Sequence, residues 1–157
     1  MAASAVVVTT IKNENSNAVR QVLIDGLTER WGSYDPHLHP DIETFPQSLR
    51  DCTVLVASQL GQIVGTGTLK TVSARRAEVI RMSVAASCRR AGVGSLILDQ
   101  LLDLARNKGV EESGVEEVVL ETTSTWASAV AFYSRHGFHK THERNDDSYF
   151  LYTLSDA

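Results

Sequence analysis

A short segment rich in arginine and glycine has the composition of a phosphate-binding loop. It runs from Arg89 to Gly94 (RRAGVG) and lies between an apolar, β-rich run and a stretch whose apolar residues recur at helical spacing. Gly92 and Gly94 carry no Cβ, so the backbone there can approach a ligand closely. The first N–H groups of a helix are unpaired and carry the positive end of its dipole, which favours anions. The segment therefore predicts a phosphate site at the start of a helix.

Two common phosphate-binding motifs do not fit this segment. A dinucleotide-binding fingerprint needs Gly or Ala three residues after the second glycine, where this chain has Ile97. A P-loop needs Gly-Lys followed by Ser or Thr, whereas Gly94 is followed by Ser95 and Leu96. An ordinary strand, turn and helix of an α/β core remains the alternative, because a lone Gly-x-Gly is a weak signal.

The loop and a second block further along resemble the GNAT acetyltransferase superfamily. The loop is similar to the R/Q-x-x-G-x-G/A acyl-CoA pyrophosphate motif of that family, and residues 118–138 (VVLETTSTWASAVAFYSRHGF) resemble its next strand and helix. The order and spacing of the two blocks are more specific than either motif alone. The resemblance implies a single α/β domain over residues 1–157 with a GNAT fold, in which a mixed, mostly antiparallel sheet is splayed between its fourth and fifth strands and flanked by about four helices. It also implies acetyl-CoA as co-substrate and no metal.

The resemblance further implies which residues hold the coenzyme. Pantetheine would pair with the backbone of the strand before the loop, a backbone N–H near Val84 would polarise the acetyl carbonyl, and the N–H groups of the loop would surround the pyrophosphate. Trp126 stands where the family often has an asparagine that contacts pantetheine, so it either packs on the coenzyme or caps the core. The implied coenzyme-binding residues are Met82, Ser83, Val84, Arg89, Arg90, Ala91, Gly92, Val93, Gly94, Ser95, Trp126, Ala129 and Phe132.

Tyr133 is the candidate general acid. It matches the tyrosine that protonates the leaving thiolate in many GNAT enzymes, and it precedes the pair Gly137-Phe138 as that tyrosine does. On a helix, Ala129 would share its face, while Phe132 would point about a quarter turn away, into the core. The alternative is a half-buried aromatic residue with a solvated hydroxyl.

Glu78 is the candidate general base. It lies on an otherwise apolar strand, at the position where histone-type members of the superfamily carry their glutamate base. A carboxylate on such a strand is costly to bury unless it is paired. The alternatives are a structural ion pair of Glu78 with Arg81, Arg76 or another cation at the strand edge, and a reaction in which another carboxylate or water is the base.

Residues 31–46 (WGSYDPHLHPDIETFP) contain all three prolines of the chain and differ in character from the rest. In GNAT proteins the corresponding segment commonly borders the acceptor site. By that resemblance Tyr34, Asp35 and His37 are candidate substrate contacts, with His39 and Asp41 as further candidates. The alternative is a surface loop whose Asp and His residues make local turn bonds. Asp41 is also expected to cap a short helix.

The predicted elements place these residues along one α/β chain. The central helix should begin at Val93 and end before Gly109, and the last helix should end in a Schellman motif at Gly137-Phe138. The other predicted elements are strands at 5–11, 53–58, 62–72, 78–84, 118–121, 139–143 and 148–154 and helices at 18–29 and 126–135.

Composition excludes several function classes. The chain has 157 residues, 43% of them hydrophobic, and a net charge of −4, which fits one globular domain and argues against a general nucleic-acid binder. Cys52 and Cys88 are the only cysteines and predict neither a disulfide framework nor a zinc site. The opening residues lack a signal-peptide pattern and no membrane partner is expected, so a cytoplasmic location is predicted, with the nucleus as alternative.

The function predicted is acetyl-CoA-dependent N-acetylation of a primary amine. A small-molecule acceptor is favoured, because the domain is compact and shows no peptide-reading appendage. Acetylation of protein N-termini or lysines is the first alternative. A non-catalytic acyl-CoA-binding protein on the same fold is the second. The sequence also allows a homodimer.

Overall fold

The structure, a computed structural model, describes residues 5–89, 91–112 and 115–154, the side chains of residues 108–112 excepted. Within these residues lie seven strands and four α-helices. The strands are β1 (Val7–Thr10), β2 (Thr53–Gln59), β3 (Gln62–Thr71), β4 (Arg76–Val84), β5 (Glu117–Thr123), β6 (His139–Arg144) and β7 (Asp147–Thr153). The helices are α1 (Ser16–Trp31), α2 (Pro40–Glu43), α3 (Val93–Glu112) and α4 (Ala127–Arg135).

The strands form one mixed sheet in the order β1-β2-β3-β4-β5-β7-β6. The pairs β1–β2, β5–β7 and β6–β7 are antiparallel, whereas β4 and β5 are parallel. Over the described residues, the parallel ladder runs from Arg76↔Glu117 to Glu78↔Val119. β5 pairs with β7 along its whole length. The prediction of a mixed, mostly antiparallel sheet with about four helices is confirmed.

Contacts group the chain into two compact units, residues 1–68 with 81–101 and residues 69–80 with 102–157. In the first unit, α3 lies close against β3 at two glycines. A Cβ added at Gly65 would stand 3.0 Å from side-chain atoms of both Val93 and Ile97, and one at Gly67 would stand 2.7 Å from Ile97. The backbone of β3 therefore approaches α3 closely at these two glycines, and the apolar face of α3 packs on the sheet there.

The backbone of β4 is irregular at Arg81, whose φ of +52° lies in the left-handed region. The left-handed conformation raises the conformational free energy of a residue with a Cβ by about 1–2 kcal/mol. The next two side chains take opposite directions. Met82 packs toward α3, since a Cβ at Gly67 would collide with its sulfur, whereas the Ser83 hydroxyl donates to the carbonyl of Val22 in α1 at 3.4 Å.

In the second unit, α4 and the hairpin of β6 and β7 share an aromatic cluster. α4 ends in a Schellman motif, because the N–H of Phe138 donates to Tyr133 O at 3.1 Å and the N–H of Gly137 donates to Ser134 O at 3.2 Å. The ring of Phe138 lies 5.9 Å from that of Tyr133, which supplies the apolar contact of the motif. The predicted helix ending is confirmed.

The predicted strand boundaries differ from the structure by one or two residues, and three differences concern helices. α3 continues to Glu112, past Gly109, because a single glycine costs only about 1 kcal/mol in a helix interior and good helix formers follow it. α1 is one turn longer than expected, from Ser16 to Trp31. Asp41 lies inside α2, and His39 is the residue that precedes the helix.

Candidate active site

The predicted phosphate loop leads directly into α3. Gly92 has a φ of +79°, and its carbonyl accepts the N–H of Leu96 at 3.1 Å, so it is the residue at which the helix begins. A Cβ at Gly92 would meet no protein atom within 4 Å. Glycine is therefore required here by the left-handed backbone and not by lack of room. In the first turn of α3, Val93 is buried, and Gly94 and Ser95 are half-buried. Ala91, in the loop before the helix, is exposed. Arg90 lies outside the described residues.

Arg89 makes an ion pair that the sequence did not indicate. Its guanidinium donates to both carboxylate oxygens of Glu29 in α1, with Nη2 2.7 Å from Oε2, and its Nε donates to Val84 O at 3.2 Å. These bonds lower the pKa of Glu29 and raise that of Arg89. The side chain that was predicted to face the coenzyme phosphates thus holds α1 to the end of β4.

Tyr133 is the more buried of the two neighbouring aromatic residues of α4. It is 8% exposed, whereas Phe132 is half-buried and its ring is tilted against that of His136, with the ring centroids 4.7 Å apart. The expectation that Phe132 points into the core is therefore wrong, and Tyr133 is the more deeply buried ring instead. Ala129 is half-buried one turn before Tyr133, as the shared face predicts.

Trp126 begins α4 through its backbone. Its carbonyl accepts the N–H groups of Ala129 and Val130 at 3.0 and 3.1 Å. Its side chain is half-buried. The position therefore has a structural role that does not depend on the indole, and the predicted contact of the ring with pantetheine stays a prediction.

Glu78 is half-buried, and the two arginines named as its possible partners are engaged elsewhere. Arg76 pairs with Glu117, with Nη2 2.6 Å from Oε1, and Arg81 pairs with Asp41. Within the part of the chain that the structure describes, no cation lies within 4.0 Å of the Glu78 carboxylate. Burial first, and then the charge of Glu121, raise the pKa of Glu78, while Lys70 lowers it to a smaller extent.

Glu121 is a second carboxylate near Glu78 that sequence reasoning treated only as the end of a strand. Glu78 pairs with Val119, and Glu121 lies two residues further along β5, on the same face of the sheet. Glu121 in turn pairs with Tyr149 of β7, whose hydroxyl binds the carboxylate, and this bond raises the pKa of Tyr149. The period of two in the strand was the signal that could have found it.

In residues 34–43, the polar side chains bond to one another and to two arginines outside the segment, Arg20 and Arg81. Asp35 accepts the backbone N–H of His37 at 2.9 Å, and the His37 ring is 94% exposed. The Tyr34 hydroxyl donates to Glu43 Oε2 at 2.7 Å, and burial together with this bond raises the pKa of Tyr34 to about 12. Tyr34 therefore does not ionise near neutral pH, and Asp35 and His37 form a local turn.

Among the described residues, no three His, Cys, Asp or Glu side chains are placed to hold a metal ion. No described helix combines the length and the apolar character needed to cross a membrane.

Comparison with known proteins gives a family and a fold. The model of the acetyltransferase (GNAT) family matches residues 16–138. An acetyltransferase of the GNAT family from Staphylococcus aureus MU50 is 17% identical with a TM-score of 0.83, and the match covers 96% of this chain and 100% of that one. PaiA N-acetyltransferase from Thermoplasma acidophilum, in complex with coenzyme A, is 17% identical with a TM-score of 0.78 over 96% and 99% of the two chains. Ribosomal-protein-S18-alanine N-acetyltransferase from Escherichia coli is 19% identical with a TM-score of 0.74 over 98% and 96%. A search of curated proteins found no match. The chain belongs to the GNAT acetyltransferase family, which confirms the predicted GNAT fold and acetyl-CoA as its co-substrate.

Proposed function

We propose that this protein transfers the acetyl group of acetyl-CoA to the primary amine of a small molecule. The observation that carries the proposal is Glu78, a half-buried carboxylate whose pKa is raised and whose neighbouring arginines pair with other residues. A carboxylate with a raised pKa suits a general base near neutral pH. A structural glutamate would be expected to pair with Arg76 or Arg81.

The coenzyme is assigned to the loop and the strand before it. Backbone N–H groups from Ala91 to Ser95 would bind the pyrophosphate, because donors at the start of α3 carry the positive end of the helix dipole. The backbone of Met82 and Val84 would bind pantetheine, and an N–H near Val84 would stabilise the oxyanion. Arg89, which is paired with Glu29, then supports the loop and is not required as a phosphate ligand.

The reaction needs two proton transfers. The amine nitrogen attacks the thioester carbonyl, the C–N bond forms, and Glu78 accepts the proton that the nitrogen loses, directly or through water. The C–S bond then breaks, and the Tyr133 hydroxyl donates a proton to the leaving thiolate. Tyr133 is held by the rings of Phe138 and Phe150, so its position is fixed by packing. Residues 34–43 are proposed to border the amine acceptor, and the cytoplasmic location stays a prediction from the sequence.

Protein N-terminal acetylation is the second candidate function. It is favoured by one of the structural neighbours, a ribosomal-protein-S18-alanine N-acetyltransferase, whose match covers 98% of this chain. The two candidates differ in the acceptor and share the coenzyme and the proton transfers.

Thiol release from acetyl-CoA, measured against a panel of small amines and of peptides with free N-termini or lysines, tests the proposal. Release with small amines and not with peptides is the expected result, and acetyl-CoA alone is the control for hydrolysis. Release with peptides only would replace the first candidate by the second. Binding of acetyl-CoA without release from any acceptor would overturn both.

A further inference from the structure

The segment proposed to border the acceptor is acidic in sequence, but two of its three carboxylates are paired with arginines in the fold. It carries Asp35, Asp41 and Glu43, which alone would suggest an acceptor with several positive charges. In the structure, Glu43 Oε2 accepts Arg20 Nη2 of α1 at 3.0 Å and the Tyr34 hydroxyl at 2.7 Å. One of the three carboxylates is therefore already paired within the first unit.

Asp41 is paired more completely, by Arg81 of β4. The Nε of Arg81 lies 2.8 Å from Oδ2 and its Nη2 lies 2.6 Å from Oδ1, so two parallel hydrogen bonds join the groups. Both side chains are mostly buried, at 23% and 29% exposure. Only the planar guanidinium can make this two-point bond, since a lysine ammonium is a single point charge. The bond lowers the pKa of Asp41 against the effect of burial, so the carboxylate is ionised and matched by one positive charge.

Arg81 also contacts His39, the residue before α2. Its Nη2 lies 3.4 Å from Nδ1 of His39, and the His39 ring stacks on Tyr34 at 5.6 Å. Arginine only donates hydrogen bonds, so Nδ1 must accept this one and the ring proton sits on Nε2. Burial and the charge of Arg81 lower the pKa of His39, which keeps the ring neutral near pH 7.

We propose that Arg81 is a specificity-determining residue of the acetyl-acceptor site, which neutralises Asp41 beside a neutral His39 and so favours an amine with one positive charge over a polyamine. The inference rests on the proposed function, in which residues 34–43 border the acceptor. A second ammonium group on the acceptor would face a carboxylate at Asp41 that is already paired with Arg81. Its attraction to the segment is correspondingly weak.

Butylamine and 1,4-diaminobutane form a matched pair of probes, because they differ only in the second ammonium group. The quantity to measure is the ratio of kcat/KM for the diamine to kcat/KM for the monoamine. Arg81→Gln keeps a side chain with a Cβ at the same backbone φ and removes the charge. The ratio should rise about fivefold in this variant, the size of a typical exposed charge interaction, and the rise should shrink in about 0.5 M NaCl.

Two further variants separate charge from structure. Arg81→Gln combined with Asp41→Asn removes both charges, so the ratio should return to within about twofold of the wild-type value. Arg81→Lys keeps the charge and loses the two-point bond, so the ratio should stay near the wild-type value while KM rises for both amines. Acetyl-CoA affinity by calorimetry and the midpoint of thermal unfolding show that each variant is folded.

The same ratio of kcat/KM values can be measured with two peptides that begin with alanine. One has lysine at the second position and the other has norleucine, so they differ only in the extra ammonium group. A ratio that does not change in Arg81→Gln, or that stays raised in the double variant, overturns the inference and leaves the proposed function intact. Wild-type protein that acetylates none of the four probes while binding acetyl-CoA overturns the proposed function, and the inference with it.

Discussion

Glu78→Gln removes the charge that the proposed mechanism needs and keeps the length of the side chain. If Glu78 accepts the amine proton, turnover should fall roughly a hundredfold, which is the lower end of general-base contributions, with little change in acetyl-CoA affinity. The free energy of unfolding, in contrast to turnover, should increase. The carboxylate is half-buried, and Arg76 and Arg81 are paired with other residues, so replacing it by an uncharged amide should raise the free energy of unfolding by about 0.5–2 kcal/mol, as at other sites where activity costs stability.

The gain in stability should depend on pH with a defined sign. The pKa of Glu78 is raised above its ordinary value of 4.5, by burial first and then by Glu121. In the unfolded chain the carboxyl loses its proton at lower pH than in the folded protein, so wild-type stability falls as pH rises from 4.5 through the raised value. Glutamine does not titrate. The difference between variant and wild type should be smallest near about pH 4 and largest near about pH 8.

Glu117→Gln is the matched control, because Glu117 also lies on the sheet but is paired with Arg76. It should lose up to about 1 kcal/mol of stability and keep its turnover. The measurements are urea unfolding at several pH values and steady-state kinetics with the chemical step limiting. Wild-type turnover in Glu78→Gln, with the acidic limb of the pH–rate profile intact, would refute the base role. A stability difference that does not vary with pH would refute the electrostatic reasoning.

Three further substitutions test other parts of the structure. Gly67→Ala should lower the free energy of unfolding by about 1–3 kcal/mol in urea titrations, because the added Cβ would stand 2.7 Å from buried Ile97, and an unchanged value would contradict the close packing of α3 on β3. Glu29→Gln should strengthen acetyl-CoA binding about two- to fivefold by calorimetry, because it frees Arg89 to turn toward a phosphate, whereas weaker binding would mean that the pair shapes the loop. Tyr133→Phe should lower turnover roughly tenfold to a thousandfold without weakening acetyl-CoA binding, and wild-type turnover would return Tyr133 to a packing role.

The features predictable from the sequence are those encoded within a few residues. The ending of α4 follows from Gly137 and the aromatic residues around it, since all the hydrogen bonds of a Schellman motif span at most five residues. β-Hairpins can be predicted in the same way, because alternating apolar and polar residues indicate the two strands and turn-forming residues indicate the connection. The end of α3 was predicted wrongly at Gly109, because a propensity of about 1 kcal/mol is a weak signal against the continuation of a long helix.

Motif and spacing predict which residues form the candidate site but not how its charges pair. The loop, Glu78 and Tyr133 are predictions of this kind. The bonds of Arg89 to Glu29 and of Arg81 to Asp41 join residues 60 and 40 positions apart, and no local pattern chooses among the chain's many acidic residues. Those two pairs decide which charges are available for a substrate, so the acidic look of residues 34–43 in sequence gave the wrong impression of their electrostatics.

The backbone at Arg81 adds an independent argument that its side chain matters. A φ of +52° costs a residue with a Cβ about 1–2 kcal/mol, and glycine would avoid that cost. What glycine could not supply is the two-point bond to Asp41 and the contact with His39. The next two residues, Met82 and Ser83, contact α3 and α1 respectively, as the alternation of side chains along a strand predicts. Strain kept at a position where the simplest residue would remove it is typical of functional sites, and here it coincides with the segment proposed to receive the acceptor.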